Sequence, residues 1–164
     1  MRIIESVPVS VVQEHEKQVG ANVRLGGYHM NLIFPPEEFK ASIAVLDDND
    51  LNRLFLLGNF AHLTKGRMCK VKDFVLSSGT STIEKVEGII SNGAHLGLAS
   101  QPEIVMVTVD AQRGPWVITD ANHRTISWFL TYASIHGVLA YVCEHPQTNE
   151  WGFVPRAARE SVNP

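Results

Sequence analysis

The stretch Trp116–Leu130, WVITDANHRTISWFL, decides the fold. A short apolar run, Trp116-Val117-Ile118, stops at Asp120-Ala121-Asn122-His123-Arg124. Ile126, Phe129, Leu130 and Ala133 then recur at the spacing i, i+3, i+4, i+7, which is one face of a helix. The pattern is a strand, a tight polar turn and a helix whose first turn carries Asn, His, Arg and Thr. The first backbone N–H groups of a helix have no internal partner and lie at the positive end of the macrodipole. Such an end attracts anions, and a neighbouring Arg adds a planar, permanently charged fork suited to phosphate. Phosphate chemistry is the first expectation.

Working outward, Ile104–Val109 is a continuous apolar run, the mark of a strand covered on both faces. Asp110–Pro115 turns it into the Trp116–Thr119 strand. Upstream, Ile83–Ile90 reads as a helix, with Ser81 and Glu84 at capping-box spacing and Gly93 as its stop. Downstream, Gly137 is the expected C-cap and Val138–Cys143 the last strand. Nearer the N-terminus, Ile3–Val12 is rich in β-branched residues and reads as a first strand, with Pro8 implying an edge or an interruption. The polar patch Gln13–Lys17 follows, and Gly20–Gly27 reads as a loop. Pro35-Pro36-Glu37-Glu38 predicts a helix start with Phe39, Ile43 and Leu46 on one face. Asp47–Asp50 ends that helix and caps another carrying Leu51, Leu54 and Phe55, before Lys65-Gly66. Val71–Leu76 reads as a strand. Ser77–Thr82 is a small polar loop without the Gly-Lys pair of a P-loop. The expectation is one α/β (α+β) domain spanning 1–164, with a mixed sheet and an inserted helical segment at about 20–80.

Composition narrows the function classes. The chain has 164 residues, 45% apolar and 19% charged, enough for one self-sufficient core. A formal charge of -3 argues against a dedicated nucleic-acid coat, which would show a basic stripe. Nucleic acid as a partner is therefore not favoured, whereas a small phosphorylated ligand needs only local positive charge. No segment approaches membrane-spanning length, and the N-terminus lacks the apolar core of a signal peptide. The two cysteines, Cys69 and Cys143, form no CxxC pair and read as reduced thiols of a cytoplasmic protein. The histidines show no HxxxH or HExxH spacing, which argues against structural zinc. Oligomeric state is left open.

From Glu84 to Glu144 the order of elements resembles the core of the ParB/sulfiredoxin superfamily. That core has a helix ending in Gly and a Pro-initiated apolar strand, here Pro102–Val109. A hairpin and strand then lead to an Asp-Gly-x-His-Arg-type turn, here Asp120–Arg124, followed by a helix and a closing strand. The resemblance implies that Asn122, His123, Arg124 and Thr125 contact the phosphates of a nucleotide. Sulfiredoxins carry a catalytic Cys where this chain has Asn122, which disfavours that activity. ParB proteins add a DNA-binding helical domain downstream. The free-serine kinases have a His-Glu pair after the first strand, with Glu as catalytic base, and His15-Glu16 stands at the corresponding place. They also have Gly where Ala121 stands.

The closest branch by motif is thus the free-serine kinases, implying a phosphotransferase that uses ATP or ADP with Mg²⁺ on a small hydroxyl-bearing metabolite, such as a serine-like amino acid. Phosphoryl transfer needs charge neutralisation, in-line positioning and a group that orients or deprotonates the acceptor hydroxyl. In this reading Arg124 and the helix-start amides hold phosphate. Asp120 assists Mg²⁺ or fixes the turn, Glu16 is the general base, and His15 or His123 orients phosphate or substrate. The rival expectations are a non-catalytic nucleotide- or DNA-binding module and, less favoured, a nuclease.

Overall fold

The computed structural model describes residues 1–20, 35–57, 70–77 and 81–161. All but Gly20 of the expected Gly20–Gly27 loop, the Lys65-Gly66 helix end and the centre of the Ser77–Thr82 loop lie outside the described residues, as does Cys69. Six strands form one mixed sheet: β1 (Arg2–Val7), β2 (Lys40–Val45), β3 (Leu54–Phe55), β4 (Ile104–Thr108), β5 (Trp116–Asp120) and β6 (Leu139–Glu144). Their spatial order is β1-β2-β6-β4-β5-β3. The helices are α1 (Val9–Gln18), α2 (Val71–Ser77), α3 (Ser81–Ser91), α4 (Asn122–Tyr132) and the short α5 (Arg156–Glu160). This is the expected single α/β domain.

Strand β4 lies between β6, which it pairs in parallel, and β5, which it meets antiparallel. All five of its residues are buried, because helices cover both sides of the sheet. On one side Val71 and Phe74 of α2, Val86 of α3 and Ile126 of α4 pack on Met106, Trp116, Ile118, Ala140 and Val142. On the other, Val12 of α1 and Ala158 of α5 join Phe39 and Trp151 against Val105, Val107, Val117, Tyr141 and Cys143. The parity of the strands therefore sorts their side chains between two apolar layers.

Four expectations are corrected. The first strand ends at Val7, and Pro8 opens α1, which takes up Val9 and Val12. Proline has no N–H to give a ladder but fits a helix start, so the β-branched run is split there. The Pro35–Glu38 start yields only a 3₁₀ turn, Pro36–Glu38, and the residues after it form β2. That strand is paired on both sides, with β1 and β6, and strand pairing outweighs the helical spacing of Phe39, Ile43 and Leu46. The Asp47 cap holds a 3₁₀ turn, Asp48–Asn52, after which Leu54 and Phe55 become β3 beside β5. Conversely, Val71–Leu76 is helical: Val71 and Phe74, three apart, both face the core. The region expected as a helical insertion thus supplies two strands as well as α2.

Apart from the C-cap of α4, which is not the expected Gly137, the rest follows the pattern read from the sequence. Helix α3, strands β4 and β5, helix α4 and strand β6 stand in the expected order. Gly93, at φ 63, closes α3. The left-handed C-cap of α4 is Ala133 (φ 52), and Gly137 takes its positive φ in the turn before β6.

Candidate functional site

Strand β5 reaches the turn through a bulge. Met106 faces Ile118 and Val105 faces Asp120, so Thr119 is the extra residue, its hydroxyl donating to the Val105 carbonyl at 3.1 Å. Such bulges bend a strand and re-aim the residues beyond it. Ala121 comes next at φ 64, ψ 24, and α4 begins at Asn122 without a side-chain cap. The left-handed region suits glycine and costs an L-residue about 1–2 kcal/mol. The backbone here is left-handed, a conformation open to glycine without strain, and alanine occupies it.

The residues of the turn have separate employments. Asn122 is buried: its Oδ1 accepts from the Leu57 N–H at 3.4 Å and its Nδ2 donates to the Ile118 carbonyl at 3.3 Å. It ties the end of β3 and the body of β5 to the start of α4. Thr125 is fully buried, and its hydroxyl donates to the Ala121 carbonyl at 2.9 Å. Both side chains are turned into the fold and bonded to backbone there. Burial, aided by the charge of Lys85, lowers the His123 pKa from 6.5 to about 4, so this imidazole is neutral near pH 7. Asp120 Oδ2 is buried with no hydrogen-bond partner among the described residues.

Arg124 is different. Its guanidinium reaches Glu103, on the loop before β4, and forms a partly buried ion pair in which the side chains are 26% and 12% exposed. The pair stands at the edge of a cleft of about 580 Å³ between that loop and α1. Ser10, Glu14 and His15 line it from α1, Gln101 and Glu103 from the loop, and Tyr141 from β6. The His15 ring lies 5.3 Å from that of Tyr141, and its Nε2 is buried with no hydrogen-bond partner among the described residues.

Of the residues singled out in the sequence, the cleft contains Arg124 and His15; Asp120, Asn122, His123, Thr125 and Glu16 do not line it. Glu16 is 1% exposed, on the face of α1 that also buries Val12. It lies near enough to Cys143 for its charge to add to burial in pushing that thiol far above its usual range. The helical period explains this: in a strand, His15 and Glu16 would point to opposite faces, whereas in α1 the 100° step puts His15 in the cleft and Glu16 four residues from Val12 against the sheet. Glu103, Glu14, Gln101 and Tyr141 carried no sequence signal, since ordinary surface and strand residues have the same look. Among the described residues no three His, Cys, Asp or Glu side chains are grouped to hold a metal ion. None of the described helices is long and apolar enough to cross a membrane.

Fold and cleft together define a mixed α/β domain in which an Arg124–Glu103 ion pair at a helix start borders a groove. Comparison with family models, with curated proteins and with solved structures found no match to this chain.

Proposed function

We propose that this chain is a nucleotide-binding domain of ParB/sulfiredoxin type that transfers phosphate from ATP or ADP to a small hydroxyl-bearing metabolite in the cleft between α1 and the start of α4. The observation that carries this reading is the meeting of Arg124, from the polar turn, with Glu14 and His15, from the first helix, across one groove. Residues more than a hundred positions apart face each other as a phosphate-gripping group and a pair able to orient a hydroxyl. Arg124 and the uncapped first turn of α4 favour negative charge. His15 lines the cleft, and its imidazole can orient a hydroxyl or a phosphate oxygen. Glu14 is exposed and takes the role of acceptor-facing base that the resemblance assigned to Glu16. Mg²⁺, when bound, would neutralise charge between phosphates. Glu103 is the cleft carboxylate that would hold it, because Mg²⁺ needs only one or two beside the phosphates themselves.

The test is equilibrium binding of ATP and ADP with and without Mg²⁺, followed by coupled detection of nucleotide turnover over a panel of hydroxy amino acids and nucleosides. His15→Ala and Glu14→Gln are expected to lower turnover while changing nucleotide affinity little. Absence of nucleotide binding under both conditions removes the proposal. Binding without turnover on any acceptor favours the rival reading of a non-catalytic nucleotide module, which the burial of Glu16 supports.

A further inference from the structure

Glu103 is held in place from three sides. Arg124 donates to its Oε2 and the Gln101 amide donates to its Oε1 at 3.1 Å. Beneath it lies Gly97, where a Cβ would collide with the same carboxylate. With its side chain 12% exposed, the carboxylate is largely withdrawn from water. The charge of Arg124 is therefore already answered before any ligand arrives. A bare anion that takes the guanidinium leaves Glu103 without its counter-charge and adds a second negative group beside it. Breaking a buried pair from one side is costly because the remaining charge stays uncompensated. Glu14, facing the same cleft, adds to the repulsion.

A ligand that carries a cation beside its phosphate escapes this penalty. It replaces one ion pair by two, phosphate on Arg124 and cation on Glu103, and no charge is stranded. We propose that Glu103 makes the cleft selective for the divalent-cation complex of a nucleotide over the uncomplexed nucleotide. The proposal rests on the reading that the cleft binds nucleotide, and it concerns what decides the form bound.

The experiment measures anisotropy of a fluorescent ATP analogue titrated with the full chain, in excess MgCl₂ and in EDTA. The wild type is expected to bind the Mg²⁺ form about ten-fold or more tightly than the uncomplexed form. In Glu103→Gln the EDTA-side affinity rises by about ten-fold and the preference for Mg²⁺ disappears. Arg124→Gln weakens both forms. Equal weakening of both forms by Glu103→Gln overturns the proposal, because Glu103 then only positions Arg124. A wild type that binds the two forms equally overturns it as well, and that comparison decides alone if the variant's thermal melt shows it unfolded. If the wild type binds neither form, the cleft reading itself falls and takes this inference with it.

Discussion

Replacing Asn122 by alanine separates a structural tie from a ligand contact at the centre of the polar turn. The Asn122 amide spans from the Leu57 N–H to the Ile118 carbonyl at 3.4 and 3.3 Å, both long, so each bond contributes near the low end of the usual range, about 0.5–1 kcal/mol. Leu57 is 2% exposed, and its N–H would then be buried without an acceptor, at a further cost of about 1–3 kcal/mol. Together the loss is about 2–5 kcal/mol, a fall in Tm of roughly 4–20 °C for a domain of this size. Asn122→Asp keeps an acceptor for Leu57 and places negative charge at a helix start, but loses the donor to Ile118, so an intermediate fall is expected. Thermal and urea unfolding with and without nucleotide measure both variants. If both unfold within about 1 °C of the wild type while nucleotide affinity drops, Asn122 is a ligand contact and the reasoning from its burial is refuted.

Three further outcomes rest on particular residues. Ala133 is exposed at φ 52, so Ala133→Gly should relieve strain and stabilise by about 0.5–1 kcal/mol, a Tm rise of about 1–4 °C; Ala121→Gly should give a smaller rise because that methyl also packs on the core. Folding lowers the His123 pKa from 6.5 to about 4 through burial first and Lys85 second. The unfolded chain therefore accepts a proton that the folded one refuses. This contribution to stability is intact above pH 6.5 and is lost as pH falls towards 4. Urea midpoints across that window should decline less steeply in His123→Gln, and an unchanged slope would count against the burial of this imidazole. In a Cys69→Ser background, Cys143 should resist a thiol reagent until denaturant is added, since burial and the charge of Glu16 keep it protonated. Rapid labelling of the native protein would contradict that placement.

Period and punctuation alone reveal β4, β5, α3, α4 and β6, because in each the apolar spacing agrees with a cap or turn beside it. Ile104–Val107 is apolar at every position, and a strand buried on both faces requires that. Pairing decided the elements where local cues conflict. Lys40–Val45 has helix-compatible spacing but is held between β1 and β6, and Val71–Leu76 has strand-like composition but turns Val71 and Phe74 to one core. The candidate site divides the same way. The turn at Ala121 and the reach of Arg124 are local properties, legible as Asp-Ala-Asn-His-Arg before a helix. That His15 rather than Glu16 faces the cleft, and that Glu103 meets Arg124 there, depends on how α1 lies on the sheet and how the loop before β4 returns beside α4. The amino-acid sequence by itself determined the strand–turn–helix that sets Arg124 at a helix start, since backbone geometry and the helix dipole follow from residues adjacent in the chain. Only the tertiary structure decided what that charge confronts, because such contacts join residues far apart in sequence, and local spacing carries no information about which of them meet.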